Sequence, residues 1–357
     1  MNRPVTDVTV RVRVPATSAN LGPGYDSLGL ALDLYDEIEA RTAPSGVAVE
    51  VTGEGVGELP SDETHLVVRA MYAAFDQLGG RPPGLALRCV NRIPHARGLG
   101  SSSAAIVGGI LAARTLAAGG LAAGGPAARG LAESDLAESG PAARGLAESG
   151  PAARGRADRV APVAPVAAAE LDGVLGDGAV LDGAAMLRLA SGLEGHPDNV
   201  APCLWGGFTI AWTTEDGAHA VRLEPSPAVR PVVFVPEDRT VTAQVRGLLP
   251  ERVPHVDAVA NVGRAALLVH ALTRDPSLLL AATADRLHQD YRAPAMEPSA
   301  ALVRHLRAAG VPAVISGAGP SVLALVGVRD DLGGFAARGF VMRPLAVAGR
   351  GAEVSGG

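Results

Sequence analysis

The first strand signal is an alternation of valine with polar residues near the N-terminus. Valine occupies positions 8, 10, 12 and 14, with threonine and arginine between them. A period of two places one face of a strand in the core and the other in solvent, so a half-buried strand ending at Pro15 is predicted. Short apolar runs predict further strands at 47–51, at 85–90 and on either side of Gly317.

Longer amphipathic or apolar stretches predict helices. They cover about 62–78, 104–116, 257–272 and 298–309. Gly79-Gly80 follows the first of these and Gly310 follows the last, and glycine is a common residue just after a helix end. The alternation of strands with helices predicts a mixed α+β chain.

Residues from 117 to about 170 interrupt this pattern with a ten-residue repeat. The unit Gly125–Ser134 recurs as Gly140–Ser149 and again in part from Gly150. Each unit contains a Gly-Pro step and few large apolar side chains, so it can neither sustain a long helix nor bury much surface. A flexible insertion is predicted, with a docking arm for a partner as the alternative.

Length and charge narrow the class of protein. The 357 residues suffice for two domains, and 48% apolar residues exclude general disorder. A net charge of −6 argues against a nucleic-acid surface. All 31 basic residues are arginine, which excludes both the Walker-type loop and the protein-kinase strand lysine.

The two cysteines and the N-terminus bear on location. Cys89 and Cys203 lie in apolar surroundings, are too few for a disulfide framework, and are predicted to be buried thiols in a reducing compartment. The N-terminus carries charged residues, and no uninterrupted apolar run of about 18 residues is evident in the sequence. We therefore expect a cytoplasmic protein without a signal peptide or membrane span.

A phosphate-binding loop is the strongest functional signal. Residues 94–105 combine glycines, three consecutive serines and the start of an apolar helix. Glycines let backbone N–H groups turn towards an anion at a helix N-terminus, and serines can cap the helix or reach a metal ion. The alternative is an ordinary capped turn without a ligand. Choosing between the two requires evidence from other segments of the sequence.

Three further segments carry unusual polar residues. The segment 15–29 is small, polar and glycine-rich, and its Asn20 and Asp26 either face a ligand or satisfy local turns. The segment 194–202 places two carboxylates, an imidazole and an amide close together, and 315–321 is a second glycine-rich turn between apolar runs.

Taken in chain order, these four segments resemble the motifs of the GHMP kinase superfamily, and their residues are most similar to those of the homoserine kinases. Further similarity lies at 240–246 and 287–294. The resemblance covers nearly all of the chain except roughly 117–180. It implies an α+β fold with an N-terminal ribosomal-protein-S5-like domain over 1–223 and a ferredoxin-like domain over 224–357, with ATP and substrate between them.

The resemblance implies ATP-dependent phosphorylation of the hydroxyl of L-homoserine, assisted by Mg²⁺, in threonine biosynthesis. ATP contacts are implied at His65, Pro94, Arg97, Gly98, Leu99, Gly100, Ser101, Ser102, Ser103 and Ala104, with a closing loop at Gly317, Gly319 and Ser321. Mg²⁺ ligands are implied at Ser102 and Glu194. Substrate contacts are implied at Asn20, Asp26, Asp198, Asn199, Thr242, Arg246 and Arg292, with Asp198, Asn199 and Arg246 also catalytic.

Several of these roles have alternatives. Glu194 is either a metal ligand or a helix-surface carboxylate, and His65 lies either near the adenine or at a helix start facing solvent. His196 is expected to be structural more than a general base, and Thr242 either contacts substrate or starts a turn. Asp198 is either the base or only positions the alcohol, since a loose transition state needs no early proton removal.

The function itself has two alternatives. One is a GHMP kinase for another small alcohol, such as shikimate, a sugar or an isoprenoid precursor, because fold alone does not separate substrates. The other is a catalytically silent nucleotide-binding regulator. No nucleic-acid or membrane partner is expected, and a homodimer is left open.

Overall fold

The computed structural model describes residues 9–122, 181–237, 246–327, 332 and 338–356, with the side chains of 120–122, Arg246 and Gly356 left aside. Most of the repeat insertion, Thr242 and the side chain of Arg246 lie outside this description. Their predicted roles therefore stay predictions.

A seven-stranded mixed sheet forms the first half of the fold. Its strands are β1 Val10–Ala19, β2 Leu28–Thr42, β3 Gly46–Gly53, β4 Gly84–Asn91, β5 Phe208–Thr214, β6 Gly217–Leu223 and β11 Glu353–Gly356. The order is β11-β1-β2-β4-β3, and β5 pairs with both β2 and β6. The β3–β4 pair is parallel, whereas the pairings of β1, β2, β5 and β6 are antiparallel.

A four-stranded antiparallel sheet forms the second half. It contains β7 Arg230–Pro236, β8 Ala313–Ile315, β9 Val322–Val326 and β10 Phe340–Pro344, in the order β10-β7-β9-β8. The predicted domain boundary at 223/224 falls between β6 and β7. The chain then returns, because β11 pairs with β1 through Val10 to Arg13. The last strand thus belongs to the first sheet.

Eight α-helices pack around these sheets in the described part of the chain. They are α1 Leu66–Gln77, α2 Ser101–Ala122, α3 Gly183–Glu194, α4 Val200–Trp205, α5 His255–Thr273, α6 Leu279–Ala282, α7 Gln289–Arg292 and α8 Glu297–Ala308. Short 3-10 turns cover Arg246–Leu248, Pro276–Leu278 and Ala293–Ala295. The predicted mixture of helices and strands is confirmed.

Two predicted boundaries are wrong, one because of strand pairing and one because of a local turn. Strand β1 continues through Pro15 to Ala19, because the pairing with β2 shifts register between Pro15 and Ala16 and the pairing with β11 ends at Arg13. Proline is tolerated next to such a bulge, where the β11 side of the strand has no partner. Helix α1 begins at Leu66 instead of about 62, because the Asp62 carboxylate accepts hydrogen bonds from Thr64 and forms a turn there.

Helix α2 is the central buried helix. Its segment Ser101–Gly119 has a mean hydropathy of 1.3 and is long and apolar enough, by length and composition only, to cross a membrane. That segment is 67% buried inside the protein, where α2 packs on α1, β1 and β2. Burial on several sides explains its uniformly apolar composition.

Both cysteines are buried and free, as predicted. Burial raises the pKa of the Cys89 thiol to about 12 and raises that of Cys203 further. Neither thiol is therefore set up as a nucleophile.

Candidate active site

One polar cleft of about 340 Å³ lies where the loops around the N-terminal end of α2 meet the second sheet. It gathers residues that are far apart in the sequence. Of the predicted site residues, those lining it are Asn20, Asp26, Arg97, Gly98, Gly100, Ser101, Ser102, Glu194, Asp198, Asn199, Arg292 and Gly317. Tyr25, His196 and Leu249 also line it.

Other predicted residues stand behind the cleft surface. Leu99, Ser103 and Ala104 are at most 1% exposed and face the core. Pro94 and Ser321 are buried as well, and neither they nor Gly319 line the cleft. Any contact of Ser103 with phosphate would therefore come from its backbone N–H, because its hydroxyl is enclosed.

The N-terminus of α2 opens onto the cleft with unused backbone donors. The first intrahelical bond runs from the Ala104 N–H to the Gly100 carbonyl. The preceding amides of Ser101, Ser102 and Ser103 have no acceptor within the helix, as at every α-helix start. Gly98 and Gly100 have φ of 72° and 70°, which glycine adopts without strain. The arrangement is suited to an anion.

Three loops are locked together around this helix end. The Asn20 side-chain amide donates to the Gly317 carbonyl at 2.9 Å, and its oxygen accepts from the Asp26 N–H at 2.9 Å. The Ser316 hydroxyl donates to the Gly98 carbonyl at 2.7 Å. The nucleotide loop, the 20–27 loop and the closing loop thus form one unit, and Asn20 serves a turn as well as lining the cleft.

Non-glycine residues with positive φ concentrate around the cleft. In the described chain they are Asn20, Leu21, Asp26 and Ala96, with φ between 50° and 66°. Such backbone costs on the order of 1 kcal/mol each and persists where surrounding contacts impose it. Asn20 and Asp26 belong to residue types that tolerate left-handed backbone, whereas Leu21 is held there by surrounding contacts.

The two predicted metal ligands lie side by side. Helix α3 ends at Glu194 because Gly195 takes a left-handed conformation with φ of 95°. The Ser102 hydroxyl donates to Glu194 Oε2 at 2.6 Å. Glu194 is thus a helix-end carboxylate directed at the start of α2, and the pair offers two oxygen ligands to Mg²⁺, which usually completes its shell with phosphate and water.

A second polar cluster surrounds Asp198, which is 1% exposed. His196 Nδ1 lies 2.5 Å from Asp198 Oδ1, which supports the expected structural role of His196. The Thr17 hydroxyl donates to Asn199 Oδ1 at 2.8 Å and leaves the Asn199 NH₂ for the cleft. Sequence analysis missed Thr17, although its place in the small-residue segment 15–29 was a signal.

The third cluster joins Asp26 and Arg292. Burial and the nearby Asp198 raise the pKa of the Asp26 carboxyl above its ordinary range. The Arg292 guanidinium is 3% exposed and reaches the Tyr25 hydroxyl and His288 Nδ1, each at 3.4 Å. No described carboxylate lies within ion-pair distance of Arg292. A buried cation without such a partner is costly unless a ligand supplies the anion.

His65 lies at a helix start, as one of its two predicted positions requires, but it is enclosed in the protein. It is 3% exposed and caps α1, where its Nδ1 accepts from the Val67 N–H at 3.3 Å. Burial lowers the pKa of its imidazole. The alternative of a solvent-facing histidine is wrong, because the ring is enclosed. Contact with adenine stays a prediction.

Comparison with known proteins relates the sequence and fold of this chain to the GHMP kinases. The GHMP kinases N terminal domain model matches residues 65–138, which include the nucleotide loop. The crystal structure of homoserine kinase from Cytophaga hutchinsonii superposes with a TM-score of 0.69, covering 99% of both chains at 23% identity. Mevalonate-3-kinase from Thermoplasma acidophilum gives a TM-score of 0.56 at 13% identity, covering 98% of this chain and 99% of that one.

The fold and the cleft therefore define a GHMP kinase, and the predicted α+β GHMP architecture is confirmed. Comparison with curated relatives identifies the family within this superfamily. Homoserine kinase of Streptomyces avermitilis is 50% identical over 97% of this chain and 95% of its own length. Homoserine kinase of Streptomyces coelicolor is 53% identical over 88% of this chain and 84% of its own length. The chain belongs to the homoserine kinase family.

Proposed function

We propose that this chain transfers the γ-phosphoryl group of ATP to the side-chain hydroxyl of L-homoserine and releases O-phospho-L-homoserine and ADP. The observation that carries the proposal is that two different sets of groups line one cleft. Unused amides with the Ser102–Glu194 pair form one set, here called the nucleotide end, and Asp26 with Arg292 form the other, here called the acceptor end. The first end suits a polyphosphate with its metal, and the second suits a zwitterion.

On the nucleotide side, the amides of Ser101, Ser102 and Ser103 bind phosphate oxygens and the α2 dipole favours their charge. Ser102 and Glu194 would hold Mg²⁺. When bound, Mg²⁺ neutralises charge on the transferred group and its leaving group. The glycines at 98 and 100 let the loop approach the phosphates closely.

On the acceptor side, each charged group of homoserine finds an opposite charge. Asp26 accepts hydrogen bonds from the ammonium, and Arg292 donates to the carboxylate in the two-pronged manner that guanidinium allows. We place Arg246 and Thr242 beside the same substrate by their position in the motif at 240–246. An acceptor without both charges, such as a sugar or shikimate, would leave Asp26 or Arg292 unmatched.

At the reacting hydroxyl, the Asn199 amide and the Asp198 carboxylate orient the oxygen towards the γ-phosphate. Asp198 is held by His196 and is buried, so its position is fixed before substrate binds. In a loose transition state the hydroxyl proton leaves late, and Asp198 then receives it without acting as an early base. Positioning and electrostatics supply most of the rate acceleration.

A coupled ADP-release assay tests the function directly. It uses homoserine, serine, threonine, mevalonate and shikimate as acceptors, with Mg²⁺ present and omitted. Turnover that requires both homoserine and Mg²⁺ is expected. Equal turnover of shikimate or mevalonate would move the assignment to another GHMP kinase, and nucleotide binding without turnover on any acceptor would favour the regulator. Cytoplasmic location and dimerisation remain predictions.

A further inference from the structure

His288 is a fully buried histidine, 0% exposed, that stands behind the acceptor end of the cleft. It precedes α7 and lies four residues before Arg292, and its ring packs against Tyr25 at 5.0 Å between centroids. It does not line the cleft itself. Its contacts, however, run to both sides of the homoserine site.

The partners of the two ring nitrogens define the state of His288. Nε2 lies 2.9 Å from the Gly22 carbonyl and 3.7 Å from Asp285 Oδ2, and both of those groups can only accept. Nδ1 faces Arg292 NH1 at 3.4 Å, and guanidinium can only donate. The ring is therefore a neutral imidazole with its proton on Nε2. Burial holds the pKa of His288 below its ordinary value, which maintains that neutral state.

These contacts join Arg292 to the loop that carries Asn20 and Asp26. Gly22 belongs to the 20–27 loop and has φ of 82°, and a Cβ there would lie 2.7 Å from the Thr283 carbonyl. The loop thus sits against the segment preceding α7. The Asp285 carboxylate fixes that segment by accepting from the amides of Leu287, His288 and Gln289.

We infer that His288 is a positioning residue for amino-acid recognition, holding the Arg292 guanidinium at a set distance from Asp26 by bonding Arg292 through Nδ1 and the Gly22 carbonyl through Nε2. The inference rests on the proposed function, since it gives Arg292 the substrate carboxylate and Asp26 the ammonium. The charged and titratable groups that face the ring are Asp285, Arg292, Tyr25 and Asp26. A neutral ring is needed because a cationic one would repel Arg292.

Three substitutions at this position separate the two contacts. His288→Leu removes both. His288→Gln carries an amide N–H to the place of Nε2 and keeps the bond to Gly22, whereas His288→Asn places an amide oxygen near Nδ1 and keeps an acceptor for Arg292. His270→Gln, at an exposed histidine on α5, is the control. Melting temperatures and KM for ATP show whether each variant retains its fold and its nucleotide site.

His288→Leu is expected to raise KM for homoserine at least about tenfold while KM for ATP changes less than about twofold. His288→Gln and His288→Asn should each show a smaller rise. Adding His288→Gln to Arg292→Gln should raise KM no further than Arg292→Gln alone, because both changes remove one shared interaction.

Two truncated ligands, measured as competitive inhibitors, identify the contact. The compound 3-aminopropan-1-ol is homoserine without its carboxylate, and 4-hydroxybutanoate is homoserine without its ammonium. The His288 variants should weaken 4-hydroxybutanoate as much as homoserine and leave 3-aminopropan-1-ol unchanged. Equal weakening of both ligands would reduce His288 to a packing residue and overturn the inference.

An unchanged KM for homoserine in a folded His288→Leu variant would overturn it as well. A wild-type protein that does not phosphorylate homoserine would contradict the proposed function instead. Dissociation constants of the two truncated ligands, measured by calorimetry, would then still report whether His288 acts on a carboxylate in the cleft, so the two failures are distinguishable.

Discussion

The two ends of the cleft are built from different parts of the polypeptide. The nucleotide end consists mainly of backbone: unused amides at the start of α2, and glycines with positive φ at 98 and 100. The acceptor end consists of charged side chains, among which Arg292 and Asp198 are at most 3% exposed. On the proposed function, the first end binds the phosphates of ATP and the second binds homoserine.

This difference predicts different sensitivities to mutation. A backbone site depends on glycine conformation and on close contact between loops, so adding a single methyl group can displace it. A side-chain site depends on charge and reach, so conservative exchanges reduce affinity for one ligand while the rest of the protein stays intact. The kinetic constants of ATP and homoserine report the two ends separately.

Gly98→Ala should have the largest effect. A Cβ there would lie 2.2 Å from the Ser316 carbonyl oxygen and 2.8 Å from that of Gly319, so the closing loop must move. We expect kcat/KM for ATP to fall at least about 100-fold, as for an active-site displacement of about 1 Å. Gly310→Ala is the control: it has φ of 84° but nothing within 4 Å, and should lose stability without losing activity. Equal activity losses in both variants would refute a role for loop contact.

Glu194→Gln should have the next largest effect. The amide keeps the bond to Ser102 but loses the negative charge, and kcat at limiting Mg²⁺ should fall about 10- to 100-fold, the range for loss of a supporting carboxylate at a metal site. Raising Mg²⁺ should restore part of the rate, which a Mg²⁺ titration measures. If the Mg²⁺ dependence matches that of wild type, Glu194 is only a helix-end carboxylate.

The pH dependence of homoserine binding should follow Asp26. Its carboxyl must be ionised to accept the ammonium, and its pKa is raised by burial and by Asp198. KM for homoserine should therefore rise as pH falls, by up to about tenfold per pH unit below that pKa, starting at a higher pH than for an exposed aspartate. Asp26→Asn should bind weakly without this rise. A wild-type KM that is flat on the acid side would contradict the assignment.

Asp36→Asn should alter stability alone. Asp36 Oδ1 accepts from the Arg92 and Ile93 amides at 2.6 and 2.8 Å, just before the nucleotide loop, and burial raises its pKa from 3.8 to about 6. Between pH 3.8 and about 6 the folded state holds a proton on Asp36 that the unfolded state has released. The contribution of this bound proton to the free energy of unfolding therefore falls as pH rises and is lost above about pH 6.

Asparagine keeps an acceptor oxygen and carries no charge, so the stability difference from wild type should grow in favour of the variant by at most about 3 kcal/mol between pH 4 and 7. Denaturant unfolding at several pH values measures this difference. Asp216→Asn makes the same change at an exposed turn and is the control. A pH-independent difference at position 36 would show that folding does not raise the pKa of Asp36.

The strands and helices that the sequence patterns predicted were located to within a few residues, because their signals are local. The glycines after α1 and α8, the alternation in β1 and the apolar stretch of α2 report hydrophobic periodicity and backbone freedom. The errors in the strands arose where pairing with another strand determined the structure. Strand β1 crosses Pro15 because β2 shifts register there, and β11 joins the first sheet although it lies at the far end of the chain.

In the candidate site, too, local sequence determines the residue types, whereas tertiary contacts determine what each side chain meets. Ser102 and Ser103 are adjacent and chemically identical, yet one hydroxyl meets Glu194 and the other is buried, because helix rotation fixes which faces the cleft. His65 was expected near adenine or at a helix start in solvent, and it caps a helix in the interior, which excludes only the solvent-facing position. Thr17 and His288 received no role, since neither acts on a ligand directly.

The sequence by itself determined the chemical groups: a lysine-free anion loop, two carboxylates with an imidazole and an amide, and arginines within motifs that match one enzyme family. These follow from short segments whose composition has a local physical meaning. Tertiary structure decided which of these groups meet. The bond between His288 and Gly22 spans 266 residues, and such contacts depend on how sheets, helices and loops pack, which no local pattern encodes.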